Sequence, residues 1–347
     1  MRRTFGKPLL ILSSSVLALL IMEIAVRVLD LPPRPLAPLP IAQYRLSVNP
    51  VISYEYRPGY KASDSPFDGS HRGFAINSAG FRDYEYAETK PEGTYRIITV
   101  GDSTTAGNGV QDLDKTYTKQ LEKLLNTNNT NGIYYEVLNM GVGGYHTMQE
   151  VETLRVKGLK YNPDLVLLTF CLNDFDLHSD GGVYRKLLEK NRLSTSNTDT
   201  ELYSGLLTLS RLAFIIHHRL NSSQTRHADL YIKNILREQT TVRAGLTLLS
   251  ELQQRHGFST LVVILPAFMN PFNKYKHTSI HERVFQSADG LNIALIDLLH
   301  SFARLDNDAG KFSYDGLHMN EYGHKAMAEI LLPIIQAFAS NSLRNTN

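Results

Sequence analysis

Residues 95–107 read YRIITVGDSTTAG, and this stretch decides the fold. Its first part, Tyr95–Val100, is a short and mostly apolar run, which is typical of a strand buried on both faces of a sheet. Gly101 and Ser103 follow at once, where the chain can turn tightly and begin a helix. Because ligands bind at the carboxyl ends of the strands in parallel sheets, we expect Ser103 to lie in a functional site.

Four more runs of the same kind follow, with helical patterns between them. The strand candidates are Tyr134–Asn139, Leu165–Phe170, Thr260–Leu265 and Asn292–Ile296. The helix candidates are Thr116–Leu125, Thr147–Lys157, Leu230–Arg255, Ile280–Ser287 and Glu321–Ala337. Strands that alternate with helices predict an α/β fold, here a three-layer sandwich with a five-stranded parallel sheet between two layers of helices.

The N-terminus carries a separate signal. Residues 1–31 begin with basic side chains and continue as a mainly apolar stretch, interrupted by Glu23 and Arg27. This stretch can cross a bilayer if the two charges reach the headgroups, so we predict an uncleaved signal anchor, a transmembrane helix. A cleaved signal peptide and a buried core helix are the alternatives. Since the basic residues come first, the rest of the chain is predicted to be extracytoplasmic, either periplasmic or extracellular.

The regions after the anchor differ in composition. Residues 32–43 are rich in proline and predict a stiff spacer. Residues 44–93 are rich in Tyr, Gly, Pro and Ser and predict lead-in strands and loops. Residues 94–340 are the predicted α/β domain, with an insertion at about 175–226. The alternatives for this insertion are a pocket wall, a lid, a surface for a partner and a packing element.

Composition excludes several classes of function. The net charge is +2, from 36 basic and 34 acidic residues, so no bulk field attracts nucleic acid and no nucleic-acid partner is predicted. The single cysteine, Cys171, excludes an intramolecular disulfide and a cysteine-rich metal site. The sequence has no H-E-x-x-H motif and no G-x-S-x-G motif. We therefore predict no metal and no cofactor, and we disfavour the α/β-hydrolase fold.

Three later segments complete a candidate site with Ser103. Asp315 and His318 lie three residues apart, so the carboxylate can hold the imidazole in the tautomer that a base for the serine hydroxyl needs. A glycine-rich run at 139–145 follows the second strand, and Asn173 follows the third. Backbone N–H groups and a side-chain amide there can donate to an oxyanion. Together these segments predict serine-dependent acyl chemistry, although each alone also fits an ordinary loop.

The order of these motifs resembles the SGNH (GDSL-type) hydrolase superfamily, over about residues 95–338. The resemblance implies a flavodoxin-like SGNH hydrolase fold, with Ser103 as nucleophile and His318 as base, oriented by Asp315. It also implies an oxyanion hole made by the N–H of Ser103, the N–H of Gly144 and the side chain of Asn173. Gly144 is chosen over its neighbouring glycines because it stands five residues after Asn139, the spacing of the family.

The chain departs from the family at two places and resembles one subgroup at another. The first motif reads GDSTT instead of GDSL, and Cys171 and Leu172 stand where the family usually has a glycine near Asn173. The family commonly tolerates the first departure, whereas the second puts the pocket wall beside Asn173 in doubt. Residues 77–82, NSAGFR, resemble a lead-in found in membrane-anchored bacterial members.

The predicted function is that of a serine esterase. It removes acyl groups, such as acetyl, from a small-molecule or glycan ester or from a lipid, and Tyr145, Phe175 and Phe268 are predicted to line its substrate pocket because they follow strand ends. An O-acyltransferase on a cell-surface polysaccharide, using the same triad, is the alternative. A non-catalytic binding or assembly protein with the same fold is a third hypothesis. The sequence leaves the acyl length, the alcohol and the oligomeric state open.

Overall fold

A computed structural model describes residues 6–29, 42–61, 74–127, 129, 132–175, 183–184, 187, 210, 212–213 and 227–345. The chain divides into two units: Met1–Leu39 with Leu188–Ile232, and Pro40–Leu187 with Lys233–Asn347. The predicted spacer, apart from residues 42–43, and nearly all of the predicted insertion lie outside the described residues.

The secondary structure of the described residues is as follows. The strands are β1 (Tyr44–Leu46), β2 (Tyr54–Tyr56), β3 (Thr94–Gly101), β4 (Tyr134–Asn139), β5 (Leu165–Phe170), β6 (Ser259–Ile264) and β7 (Ala294–Asp297). The α-helices are α1 (Gly6–Val28), α2 (Ser103–Ala106), α3 (Tyr117–Asn126), α4 (Thr147–Thr153), α5 (His227–His256), α6 (Thr278–Ala288), α7 (Leu299–Leu305) and α8 (Glu321–Asn345). A π-helical turn, Leu154–Gly158, continues α4.

The first unit contains α1, which carries exposed apolar side chains along its length. The carboxylate of Glu23 accepts hydrogen bonds from the hydroxyl of Ser210 and the N–H of Leu212, both at 2.9 Å, and pairs with Arg27 at 2.6 Å. A charged group in an apolar helix is therefore satisfied within its own unit. No helix of the described residues is both long and apolar enough to cross a bilayer. The predicted membrane anchor at residues 1–31 is not supported by the structure.

The second unit is built on a parallel sheet of five strands in the order β4-β3-β5-β6-β7. The predicted α/β class with a five-stranded parallel sheet is confirmed. Strands β4 and β5 have the predicted bounds, whereas β7 begins two residues later than predicted and α7 was not predicted. The chain passes from β3 to β4 on one side and returns to β5 on the other side of β3. In such sheets ligands bind at the carboxyl end of the strands where the order reverses, which here is the end of β3.

Helices cover both faces of this sheet, because successive side chains of a buried strand point to opposite faces. In β3, Ile97 belongs to one core cluster and Ile98 to the other. The cluster around Ile97 contains residues of α3, α7 and α8, and the cluster around Ile98 contains residues of α4, α5 and α6. The three-layer arrangement thus follows from strands that are apolar on both sides.

The lead-in forms a small antiparallel hairpin from β1 and β2. Its tyrosines are buried against each other, with the rings of Tyr44 and Tyr56 stacked at 4.9 Å. The hydroxyl of Tyr54 donates to the carbonyl of Gly143 at 2.9 Å, and the N–H of Gly143 donates to the hydroxyl of Tyr56 at 3.1 Å. The hairpin therefore fixes the glycine-rich loop that follows β4.

Candidate active site

Ser103, His318 and Asp315 form one line of hydrogen bonds at the carboxyl end of β3. Ser103 is the first residue of α2, and its Oγ lies 2.9 Å from Nε2 of His318. Nδ1 of His318 lies 2.7 Å from Oδ2 of Asp315. The three residues that the sequence predicts for the triad are thus within hydrogen-bonding distance. A hydroxyl, an imidazole and a carboxylate in this order can generate a serine nucleophile.

Asp315 is held by the backbone of its own loop. The N–H groups of Leu317 and His318 donate to its Oδ1 at 2.9 and 2.7 Å. Partial burial opposes ionisation, but hydrogen bonds from the His318 ring and from these two N–H groups outweigh it and hold the pKa of Asp315 below its ordinary value. An ionised Asp315 accepts a hydrogen bond from Nδ1–H of His318, so the lone pair on Nε2 is left to accept the proton of Ser103.

The carboxylate of Asp102 accepts several hydrogen bonds next to Ser103. Its Oδ1 accepts from the N–H of Thr104 at 2.8 Å and from the thiol of Cys171 at 3.3 Å. Its Oδ2 accepts from Nδ2 of Asn173 at 3.0 Å and lies 3.4 Å from Oγ of Ser103. Asp102 therefore ties the loop after β3 to the loop after β5. One N–H of the Asn173 amide is used in this contact, and the other remains to serve a ligand.

A cavity of about 180 Å³ lies beside Ser103 and His318. Its lining residues are Asp102, Ser103, Thr104, Cys171, Leu172, Asn173, Leu265, Pro266, Ala267, Leu317 and His318. The cavity surface is mainly apolar, and its polar part comes from residues that include Ser103, Asn173 and His318. Pockets for drug-sized ligands occupy roughly 300–1,000 Å³, so this cavity suits a small acyl group.

The predicted oxyanion donors are only partly brought together. Ser103 and Asn173 line the cavity, whereas Gly144 is not among the described residues that line it. The glycine-rich loop packs closely behind α2, since a Cβ on Gly141 would lie 2.4 Å from the backbone nitrogen of Ala106. The role of Gly144 stays a prediction.

Residues 99–326 match the model of the GDSL-like Lipase/Acylhydrolase family. The chain belongs to this family. It is accordingly a hydrolase that acts on ester bonds. No curated protein matches the chain.

Several solved structures are similar to this GDSL-like acylhydrolase. An acetyl xylan esterase, AlAXEase, is 17% identical, and the match covers 69% of this chain and 99% of that chain with a TM-score of 0.44. A lipase/acylhydrolase from Enterococcus faecalis is 16% identical, with coverages of 70% and 96% and a TM-score of 0.43. The acetylxylan esterase Axe2 from Geobacillus stearothermophilus is 14% identical, with coverages of 69% and 93% and a TM-score of 0.44.

The three aromatic residues predicted for the pocket of the GDSL-like acylhydrolase lie elsewhere. The buried ring of Tyr145 packs edge-on against Tyr54 at 5.3 Å, and that of Phe268 packs against Phe302 at 5.3 Å. Phe175 is also buried, with the guanidinium of Arg283 4.8 Å above its ring. All three rings turn into the core clusters, and none lines the cavity. The predicted aromatic pocket is not supported, and the observed walls are aliphatic.

Two buried acids, Glu150 and Asp174, interact electrostatically with Asp102. Glu150 and Asp174 are each 1% exposed, and Oδ2 of Asp174 accepts from the hydroxyl of Thr147 at 2.9 Å. Burial, followed by repulsion from Asp102, raises the pKa of Asp174 well above its ordinary value. Burial, followed by repulsion from Asp102, likewise raises the pKa of the Cys171 thiol, so this cysteine stays a protonated core residue.

Arg82 is a further residue that sequence reasoning missed. It is 1% exposed, and its guanidinium donates to four backbone carbonyls after the nucleophile. The acceptors are the carbonyls of Ala106, Gly107, Val110 and Gln111, at 3.1, 2.5, 2.6 and 3.0 Å. The only sequence signal is its place in the NSAGFR lead-in, which says nothing about these distant partners. In the described residues, no group of three or more His, Cys, Asp or Glu side chains is placed to hold a metal ion.

Proposed function

We propose that the protein is a serine esterase that removes short acyl groups, above all acetyl, from small-molecule or glycan esters. The observation that carries this proposal is the Ser103–His318–Asp315 line of hydrogen bonds beside a small aliphatic cavity. The acyl group enters the cavity, and the ester carbonyl carbon lies next to Oγ of Ser103.

In the first half of the reaction, Oγ of Ser103 attacks the carbonyl carbon while Nε2 of His318 takes the hydroxyl proton. The oxyanion of the tetrahedral intermediate accepts hydrogen bonds from the N–H of Ser103 and from Nδ2 of Asn173. The C–O bond to the alcohol then breaks, and the imidazolium gives its proton to the leaving oxygen. The acyl group remains on Ser103, and Asp315 stabilises the positive charge on His318 meanwhile.

In the second half, water replaces the alcohol. His318 takes a proton from the water as it attacks the acyl-enzyme, and the resulting intermediate collapses when His318 returns that proton to Oγ of Ser103. The products are a carboxylic acid and the free serine. The same donors serve both intermediates.

The test is hydrolysis of p-nitrophenyl acetate by the full chain and by Ser103→Ala. We expect the variant to lose about 1,000-fold or more in kcat. A Ser340→Ala variant, which changes an exposed serine of α8, is the matched control and keeps the wild-type rate. Equal rates for wild type and Ser103→Ala would overturn the proposal. Labelling of Ser103 by a fluorophosphonate probe separates a catalytic protein from a binding protein with the same fold.

The O-acyltransferase alternative uses the same triad and differs only in the second half. A sugar hydroxyl, rather than water, would then take the acyl group from Ser103. Product analysis with oligosaccharide acceptors decides between them. Acyl transfer that exceeds hydrolysis would replace the esterase assignment.

We also propose that the catalytic unit works outside the cytoplasm. Support comes from the basic residues that precede the apolar stretch. A C-terminal fusion to alkaline phosphatase, which is active only after export, tests the location. Inactive fusions would contradict export.

A further inference from the structure

An aromatic ring lies directly against the proposed catalytic base. The rings of Tyr314 and His318 are stacked, with centroids 5.7 Å apart and planes inclined by 16°. Tyr314 is nevertheless 54% exposed. Partial burial and the nearby charge of Asp315 raise its pKa to about 12, so its hydroxyl is neutral at physiological pH.

Two features fix the position of this ring. Gly109 has a φ of +91°, and a Cβ at this position would lie 2.0 Å from Cε1 of Tyr314. The ring thus packs tightly against the loop that follows the nucleophile helix. On its own loop, the N–H of Tyr314 donates to the carbonyl of His318 at 3.3 Å, and Ser313 and Met319 form an antiparallel bridge. Tyr314 and His318 therefore stand side by side on a narrow, hydrogen-bonded loop.

The chemistry of the reaction says what this ring can touch. His318 gives its proton to the leaving oxygen, so the alcohol part of the ester must lie beside the imidazole. The acyl part occupies the aliphatic cavity, and Tyr314 is not among the described residues that line that cavity. An exposed ring next to His318 but outside the acyl cavity is placed to meet the alcohol.

The ring also limits the kind of alcohol. A tyrosine presents a flat apolar surface with a polar edge, and it is held here with little freedom to reorient. Such a surface is best covered by another flat group that is apolar on its face and polar at its rim. A pyranose or furanose ring has this character, because its C–H bonds project from the faces and its hydroxyls from the rim. A short alkyl alcohol covers little of the surface.

We propose that Tyr314 is a specificity-determining residue that binds the alcohol part of the ester, and that this alcohol is a sugar ring. The inference rests on the proposed esterase activity and adds the substrate class to it. Tyr314 forms the outer wall of the alcohol site, and His318 forms its inner end.

The experiment compares two acetyl esters, an acetylated methyl xyloside and ethyl acetate, for the full chain and its variants. We expect Tyr314→Ala to lower kcat/KM about tenfold on the sugar ester, mainly through a higher KM. On ethyl acetate we expect a change of less than about threefold. Tyr314→Phe keeps the flat surface and retains both rates. Tyr134→Ala, which removes an exposed tyrosine at the opposite end of the sheet, leaves both unchanged.

Equal losses on the two esters in Tyr314→Ala would overturn the inference, because Tyr314 would then only position His318. An unchanged rate on the sugar ester would overturn it as well. If Tyr314→Ala does not fold, Tyr314→Leu, which keeps bulk without a flat face, takes its place with the same expectations. Failure of the wild type to hydrolyse any acetyl ester faster than Ser103→Ala is a separate result, and it refutes the proposed function itself.

Discussion

Nη1 of Arg82 donates a hydrogen bond to the backbone carbonyl of Ala106, 3.1 Å away, at the end of the helix that Ser103 begins. The last carbonyls of a helix have no partner within the helix, and buried carbonyls without partners are costly. Arg82 supplies these partners from the lead-in, so a residue outside the predicted catalytic motifs holds the nucleophile helix in place. Burial lowers the pKa of its guanidinium to about 10, which still leaves it charged at neutral pH.

Replacement of Arg82 therefore affects both stability and activity. Arg82→Met leaves several buried carbonyls without donors, and we expect the free energy of unfolding to fall by about 3 kcal/mol. Arg82→Lys loses most of the same bonds because an ammonium cannot reproduce the fork of a guanidinium. Urea unfolding measures the change. The control is Arg45→Met, which removes a half-exposed arginine from the buried Glu55 and should cost less than about 1 kcal/mol, because Lys157 still pairs with Glu55.

A measurement of activity distinguishes an effect of Arg82 on the nucleophile helix from a general loss of stability. Folded Arg82→Met, held well below its unfolding transition, should show a reduced kcat on p-nitrophenyl acetate, since the helix that carries Ser103 has lost its anchor. A variant with lower stability but an unchanged kcat would contradict the link between Arg82 and the nucleophile.

Asp315→Asn tests the orienting carboxylate. An amide at this position can donate to Nδ1 of His318, which favours the tautomer whose Nε2–H cannot accept the proton of Ser103. We expect kcat on p-nitrophenyl acetate to fall by about 10,000-fold with little change in the far-ultraviolet circular dichroism spectrum. A loss of less than tenfold would show that Asp315 does not set the tautomer.

Much of this arrangement could be predicted from residue types and spacing. Strands β4 and β5 were predicted with their observed bounds because each is a mostly apolar run, with Asn139 at the end of β4 and Asp164 just before β5. The residues that now lie within hydrogen-bonding distance, Ser103, His318 and Asp315, belong to motifs at predicted strand ends or loops. In each case the residue types next to one another in the sequence are enough to predict the observed element or site residue.

Other features depend on contacts that the sequence does not display. Gly101 was expected to serve a tight turn, but a Cβ there would lie 2.1 Å from Oγ1 of Thr105, so close packing requires the glycine. Phe268 follows a strand as predicted, yet its ring turns into the core against Phe302. Position after a strand fixes where a residue lies and leaves the direction of its side chain to tertiary packing. The partners of Arg82 lie 24 or more residues away in the chain.

Glu150 should make stability depend on pH. Both of its carboxyl oxygens lack a hydrogen-bond partner in the described residues, and burial, then Asp174 and Asp102, raise its pKa well above the ordinary value. The folded protein therefore keeps Glu150 protonated where the unfolded chain, with a pKa of about 4.3, has released the proton. Stability is lost as pH rises from that unfolded value through the raised folded value.

The Glu150→Gln variant should not lose stability in this way as pH rises, because a glutamine side chain does not ionise. Relative to wild type, we expect the variant to gain free energy of unfolding as pH rises above about 4, measured by urea unfolding at a series of pH values. Below pH 4 both side chains are neutral, so the difference there gives the effect of the substitution itself. Wild-type and variant curves that stay parallel from pH 4 to pH 8 would rule out a raised pKa for Glu150.

Burial of His324 should make stability depend on pH in the opposite direction, so that stability is lost as the solution becomes acidic. Its ring is fully buried and stacks with Tyr117, whose N–H donates to Nδ1 at 3.1 Å. Burial, then the charges of Arg82 and His318, lowers its pKa to about 3. In the unfolded chain a histidine has a pKa of about 6.5, so the unfolded state takes up a proton first as pH falls. The stabilisation is present above about pH 6.5 and is lost as pH falls towards 3.

His324→Asn keeps an acceptor near the position of Nδ1 but cannot take up a proton. We expect wild type to lose stability more steeply than this variant between pH 6.5 and pH 3, as measured by the urea midpoint at each pH. The exposed His256 at the end of α5 provides the control, because a His256→Asn variant should retain the wild-type slope. If His324→Asn and wild type lose stability at the same rate, His324 takes up its proton over the same pH range in the folded and unfolded states, and the lowered pKa of the buried ring is refuted.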